Sequence, residues 1–332
     1  MKLSILDQSP ISSNQTAQEA LYNSVNLAQA GESFRYTRYW IAEHHDLSGL
    51  ACPAPEVMLG LIGANTKTIR IGSGATLLPH YKPYKVAEVF NTLATLFPNR
   101  IDLGIGRAPG GSAEATNALS DNFLQKVFNM PNAVKELLSY IYDESTSSHH
   151  FGKVKASPLP RNPAVPWLLG TSLKSALLAA ENGMAYAFGQ FMSDKDGVDI
   201  IKQYRDSFQP KKKGQKSEVI LTVSAICADT TEEAVEIAQS MLVWSFQRKN
   251  GDSNRGIPTI EEAKAYNLNE KEKDSLEQKK KHVIIGNPTE VKQKLLELHK
   301  TYQADEIMIV TITHSQVDKI RSYELIAKEF GL

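Results

Sequence analysis

Eight short apolar runs, with helical patterns between them, organise this sequence. The runs are Leu3–Leu6, Tyr39–Ala42, Ile69–Gly72, Ile101–Ile105, Val165–Leu169, Ala185–Phe188, Val219–Cys227 and Glu306–Val310. Most are continuous rather than alternating, as expected of parallel strands covered on both faces. Thr16 with Glu19 forms a capping-box pair ahead of Leu21, Val25 and Ala28, and Thr230 with Glu233 does the same ahead of Ala234, Ile237 and Met241. Asn287-Pro288-Thr289-Glu290 places proline at the first helical position before Val291, Leu295 and Leu298. Further apolar helix faces are Val86, Phe90 and Leu93, and Leu173, Leu177 and Ala180. Eight strand-then-helix units in 332 residues predict an α/β fold, a (β/α)8 TIM barrel, as a single domain over residues 1–332.

Two segments break the rhythm. His149–Pro166, rich in proline and basic residues, predicts an insertion with a small hairpin before the fifth strand. Residues 248–282 are polar, with the charge runs Glu270-Lys271-Glu272-Lys273 and Gln278-Lys279-Lys280-Lys281. That composition predicts a solvated helix or a mobile loop. Coming after the seventh strand, it would lie on the catalytic face as a lid, or else be a plain surface excursion.

Composition narrows the partners. With 42% hydrophobic and 22% charged residues the chain can bury a large core. Acidic and basic side chains balance at 37 each, which removes the electrostatic footprint of a nucleic-acid or anionic-membrane binder. Small molecules and other protein subunits are the expected partners. No apolar run approaches the roughly 18 residues that suggest a membrane span, and Met1-Lys2-Leu3-Ser4-Ile5-Leu6-Asp7 has no signal-peptide pattern, so a cytoplasmic protein is expected. Cys52 and Cys227 are too few for a disulfide framework or a zinc site and are expected as buried thiols.

Four motifs carry candidate chemistry. The second strand ends abruptly in Glu43-His44-His45-Asp46, at the end of a parallel barrel where catalysis is done. Adjacent side chains of an extended segment point opposite ways, so one histidine can face the barrel mouth, and a neutral imidazole acting as base or hydrogen-bond partner is expected there. With no HExxH motif or Cys/His cluster, no metal is expected. Gly104-Ile105-Gly106-Arg107-Ala108-Pro109-Gly110-Gly111 looks like a dinucleotide fingerprint, but it follows the fourth strand, Pro109 interrupts its turn, and no acidic strand end lies about 20 positions on. What remains is Arg107, a point charge for a phosphate in a loop kept open by glycine. In the run Trp167–Ser175 a strand enters a helix whose first turn offers free N–H groups and the hydroxyls of Thr171, Ser172 and Ser175. Plain N-capping accounts for one such hydroxyl; three, with Arg107 from the neighbouring strand, predict a monophosphate site. Gly72-Ser73-Gly74-Ala75-Thr76 ends the third strand in small residues, consistent either with close approach of a flat ring or with simple backbone freedom.

In this order the motifs resemble those of the bacterial luciferase-like flavin monooxygenase family over essentially the whole chain. Glu43-His44-His45 is similar to the Glu-His-His of the luciferase α subunit, which implies an active-site role for His44. Gly72-Ser73-Gly74-Ala75, followed by Leu78-Pro79, resembles the strand-three motif in which a non-prolyl cis peptide shapes the flavin pocket. The match implies that bond at Gly74-Ala75, with Ser73, Gly74 and Ala75 forming the wall behind the ring. Asn99–Arg107 resembles the strand-four signature whose final arginine holds the FMN phosphate, and the turn Gly170, Thr171, Ser172 to Ser175 falls where the family places phosphate-binding hydroxyls. The pattern from Gly286-Asn287-Pro288 through Ala304-Asp305-Glu306 to Arg321-Ser322-Tyr323-Glu324 is similar to single-chain members. The chain departs from luciferase at Gly106, where luciferase carries a cysteine, which implies a relative rather than a light emitter.

The resemblance implies reduced FMN supplied by a separate flavin reductase, reaction with O2 through a C4a-peroxyflavin, and transfer of one oxygen atom to a small organic substrate. It also implies a homodimer formed through helices near the second and third strands. The alternatives are a deazaflavin-dependent hydride transfer on the same barrel and a flavin-binding protein without turnover. A nicotinamide dehydrogenase, suggested by the Gly104–Gly111 glycines, would instead bind NADH without flavin.

Overall fold

A computed structural model describes residues 1–144, 154–193, 196–249, 256–280 and 282–332. Nine parallel strands are present: β1 Lys2–Asp7, β2 Arg38–Ile41, β3 Arg70–Leu77, β4 Ile101–Gly106, β5 Val165–Gly170, β6 Ala185–Gly189, β7 Val219–Cys227, β8 Val283–Gly286 and β9 Glu306–Val310. Eight of them close a barrel. Neighbours pair in chain order from β1 to β7, Ile220–Ser224 of β7 pair with Glu306–Val310 of β9, and β9 returns to β1 with Lys2 opposite Glu306. Helices cover the outside, as the eightfold alternation of the sequence predicts.

The seventh unit differs from the sequence-based expectation. The nine residues of β7 are all buried; Ser224 pairs with both Val310 of β9 and Val283 of β8, and Ala225–Cys227 run on past β9 paired with β8. The helix Thr231–Lys249 therefore starts beyond the barrel rim. Its first turns pack on the end of β7 and on β8, and its last turns bring Trp244 to a cluster with Leu50 and Ile257. The helix that packs on β7 and β9 is Pro288–Tyr302. Ahead of the polar segment expected over 248–282, the helix Thr231–Lys249 already lies between β7 and β8. The two short helices Ile260–Ala265 and Glu270–Lys280 pack on the helix Thr231–Lys249, and Ile257 exchanges backbone hydrogen bonds with Ile11 and Ser13. Residues 250–255 and 281 of the expected lid lie outside the described residues.

The segment expected before β5 is described from 154 on. Residues 154–164 form no strand; Asn91 Nδ2 donates to Ala156 O at 2.7 Å and Tyr84 donates to Lys155 O, tying this stretch to the helix Pro83–Leu96. Residues 149–153 lie outside the described residues. Cys52 and Cys227 are free and buried, and burial raises both thiols to about 12, so both are inert neutral groups near neutral pH. No described helix is long and apolar enough to cross a membrane.

Inside the barrel, side-chain chemistry changes along the axis. At the amino-terminal end of the strands, Arg38 donates to both Glu306 oxygens (Nε 2.8 Å, Nη2 2.9 Å) and to Asp102 (Nη1 2.9 Å), while Ser4 also bonds Glu306 and Arg70 also bonds Asp102. Burial disfavours the Arg38 charge, but Asp102 and Glu306 more than offset it and hold the guanidinium charged. Above lies a layer of Leu6, Trp40, Trp167, Ala187, Ile220, Met308 and Val310, with the two indoles edge-on at 5.5 Å and Trp40 Nε1 donating to Asp102. The guanidinium of Arg38 sits 4.7 Å from the Trp167 ring. This layer is the solid floor on which the mouth rests.

Removing one member of a buried ionic cluster leaves its partners as uncompensated charges. Arg38→Met is therefore expected to lower the unfolding free energy by about 3–5 kcal/mol, measured from urea transitions. A loss below about 1 kcal/mol, the scale of exposed pairs, would show that the cluster is not coupled to folding.

Candidate active site

The loop after β2 is organised by Glu43. Its buried carboxylate accepts hydrogen bonds from the Leu77 N–H (3.0 Å), the Tyr81 hydroxyl (2.8 Å) and His45 Nε2 (2.8 Å). His45 is further tied by its own N–H to Gly110 O. A Cβ at Gly111 would stand 1.9 Å from His45 O, so that close approach requires glycine. The loops after β2, β3 and β4 are thus stitched together, and the glycines read in sequence as a dinucleotide fingerprint serve this contact.

His44 points elsewhere, as the alternation of an extended segment requires. Its N–H donates to Cys52 O, while its Nδ1 is buried and has no hydrogen-bond partner among the described residues. Burial first, then the charges of Arg248 and His45, lower its proton affinity from the ordinary 6.5 to about 4. The imidazole is neutral near neutral pH and offers an unused ring nitrogen.

The wall between β3 and β4 is built from small residues. The Gly74–Ala75 peptide is cis, at the position implied by the motif, and the register between the two strands shifts between Ser73 and Thr76. A Cβ at Gly74 would lie 2.7 Å from Leu6 Cδ1 and 3.0 Å from Trp40 Cβ, and one at Gly106 would lie 3.0 Å from Ala75 Cβ. Ser73 donates its hydroxyl to Gly104 O at 2.9 Å, so its side chain holds the wall together.

Arg107, exposed at the end of β4, donates to Ser172 Oγ at 3.1 Å. Ser172 caps the helix Leu173–Glu181 in a reciprocal box with Ser175. The Ser175 hydroxyl accepts from the Ser172 N–H, donates to Ser172 O at 2.7 Å and meets the Tyr186 hydroxyl at 3.2 Å. It is buried beneath Gly170, where a Cβ would come within 2.4 Å of Ser175 Oγ. The capping role noted from sequence therefore falls to Ser172, with Ser175 buried as its reciprocal partner, while Thr171 and Ser172 stay part-exposed. A cavity of about 370 Å3, lined by Arg107, Ser175, Leu168, Leu169, Leu178 and Phe128 among others, adjoins this corner.

The structure brings the sequence-predicted residues to the carboxyl ends of four successive strands: His44 after β2, Ser73–Ala75 in β3, Arg107 after β4, and Gly170–Ser175 after β5. Among the described residues no three or more His, Cys, Asp or Glu side chains come together as a metal-ligand set. Sequence reasoning missed Trp244 and Arg248. Arg248 lies 4.8 Å over the Trp244 ring and perturbs His44 from an inserted helix. Trp244 follows the capped helical pattern that begins at Thr230, and Arg248 opens the polar segment read as a lid or a surface excursion, so no local signal joined the two.

The His44 shift has a pH signature. Its folded-state proton affinity lies below the ordinary value, so the stability of the neutral form is complete above pH 6.5 and is lost as pH falls towards about 4. Imidazole NMR signals of His44 should move only below about pH 5, and His44→Phe should flatten the acid limb of the stability profile. Titration of His44 near 6.5 would contradict a buried, cation-flanked imidazole.

Residues 1–304 match the family model described as luciferase-like monooxygenase. An uncharacterized Bacillus subtilis (strain 168) protein, YceB, is 41% identical over 328 residues, with 99% of each chain covered. The N-acetyl-S-alkylcysteine monooxygenase of the same organism is 35% identical over 98% of this chain and 97% of its own. The crystal structure of apo-MsnO8 superposes with a TM-score of 0.90 at 33% identity, covering 100% of this chain and 98% of that one. A closed eight-stranded barrel with its polar motifs at one rim and a match across nearly the whole length have one meaning: this chain belongs to the luciferase-like monooxygenase family.

Proposed function

We propose that this monooxygenase works with reduced FMN, supplied by a separate flavin reductase, and inserts one oxygen atom of O2 into a small organic molecule. One observation carries the reading: an uncharged imidazole, a side-chain-poor wall and a basic hydroxyl corner stand on successive strand ends of one barrel rim. The residues fit a flavin. Gly74 and Gly106 leave the wall without side chains, and His44 Nδ1 is a buried nitrogen with no partner among the described residues. Arg107, Thr171 and Ser172 would hold the phosphate, with Ser175 and Gly170 shaping the turn beneath them. Ser73, Gly74 and Ala75 would support the ring.

When bound, reduced flavin supplies the electrons that activate O2, so that one oxygen enters the substrate and the other leaves as water. The protein's own residues orient, exclude water and move protons. His44, neutral near pH 7, accepts or returns a proton at Nδ1. Glu43 and His45 hold the His44 loop in place. The inserted helix Thr231–Lys249 and the segment 256–280 cover the mouth and keep water out. On the helix Pro55–Asn65, Val57 (68% exposed) and Leu61 (39%) flank Gly60, around which there is open space, which supports a homodimer through this face.

Arg107→Ala is expected to weaken FMN binding by about 10- to 100-fold, the loss of a charge-assisted hydrogen bond, as read by flavin fluorescence. His44→Ala should bind FMN normally and lose about 100-fold or more in substrate-dependent O2 consumption. Turnover with a reduced deazaflavin in the absence of O2 would replace this reading with hydride transfer. Tight FMN binding with no O2 uptake under any substrate would replace it with a binding protein.

A further inference from the structure

The last turns of the helix Thr231–Lys249 carry polar groups that neither the fold nor the flavin site uses. Trp244 Nε1 and Gln247 Oε1 are buried with no hydrogen-bond partner among the described residues, and the two residues are only 2% and 7% exposed. Residues three and four apart share a helix face, which groups Trp244, Gln247 and Arg248. The Arg248 guanidinium lies 4.8 Å over the Trp244 ring and is partly buried. Burial disfavours its charge, and no described Asp or Glu forms an ion pair with it. A buried donor or acceptor left unpaired costs about 1–3 kcal/mol, and more for a charged group. Two such groups with a part-buried cation beside them on one turn are explained if a ligand completes them.

Their position relates them to the site. The Trp244 ring packs on Leu50 and Ile257, and a Cβ at Gly49 would lie 2.9 Å from it. Gly49 and Leu50 belong to the same loop as His44, and the Arg248 charge reaches the His44 imidazole. The phosphate-type corner, by contrast, is made by Arg107 and Ser172 from β4 and the turn after β5. The rim therefore has two basic centres, and only one of them is flanked by hydroxyls.

We propose that Arg248 and the Trp244 indole N–H form a carboxylate-binding subsite that anchors the organic substrate, with Gln247 Oε1 accepting from an N–H of the same molecule. A guanidinium stacked on an aromatic ring keeps its planar edge for two parallel N–H···O bonds, the geometry a carboxylate matches. The substrate class is a small organic acid bearing an N–H near its carboxylate, with its oxidisable part towards His44. The word substrate rests on the monooxygenase reading; the acid subsite rests on Arg248, Trp244 and Gln247 alone.

The test is calorimetric titration of the apoprotein and of FMN-loaded protein with N-acetyl-S-methylcysteine, which joins a carboxylate, an adjacent amide N–H and an oxidisable sulfur, and with hexanoate. Each acid is compared with its own primary amide. At least one acid should bind about tenfold or more tightly than its amide, in the apoprotein as well as in the loaded protein. Arg248→Met should erase that preference, Arg248→Lys should keep part of it, and Trp244→Phe should cost the acid about three- to tenfold. FMN affinity should be unchanged throughout. If neither acid is preferred over its amide, or if the preference survives Arg248→Met, the subsite is wrong. Should Arg248→Met fail to fold, an undiminished preference in Arg248→Lys together with Trp244→Phe overturns it equally. Failure of the flavin reading would appear separately, as absent FMN binding with the acid preference intact.

Discussion

The buried carboxylate of Glu43 is the constraint on which the rim of this barrel depends. Burying an ionised carboxylate is costly unless its oxygens are satisfied, and here three donors from three places do so: Leu77 N–H, the Tyr81 hydroxyl and His45 Nε2. Each donor lies on or just beyond the strand-end loop it fixes. His45 then passes the restraint to Gly110 and Gly111. Three loops that would otherwise vary independently share one anchor, and the loop that carries His44 is fixed with them.

Below the rim, the barrel axis is graded by chemistry. The ionic base of Arg38, Asp102 and Glu306 sits under an indole floor, and the floor sits under glycines. The gradient has a physical logic. Charges can be buried only where partners are fixed and complete, which the crowded base provides. Bulky side chains then fill the interior up to Gly74 and Gly106, where Leu6, Trp40 and Ala75 approach so closely that a Cβ would not fit. Trp40 links the two levels, its ring packed in the floor and its N–H on Asp102.

The projecting end of β7 explains the rest of the architecture. Ala225–Cys227 extend beyond β9, Ser224–Cys227 pair with β8, and the chain between β7 and β8 forms the inserted helices. The insertion has its own small core, with Ile226, Ala234, Ile237 and Met241, and touches the barrel loops through Trp244, Leu50 and Ile257. It brings a second arginine to a rim that already has Arg107, which gives the mouth two basic centres of different character.

Local pattern was enough to predict the barrel, because eight continuous apolar runs alternate with capped or amphipathic helical patterns and a closed parallel sheet buries all eight. It also determined the strand ends that carry His44, Arg107 and Ser172, since a polar burst after an apolar run is itself a local signal. Tertiary structure alone decided which hydroxyl is buried, since Ser172 and Ser175 look alike until Tyr186 and Gly170 close over Ser175 and leave the N-cap Ser172 beside Arg107. It alone revealed β8, whose four residues have meaning only as partners of a strand that overshoots the barrel. And it alone placed Arg248 near His44, about 200 residues away in sequence, because long-range proximity follows from the path of an insertion and leaves no periodic trace in the chain.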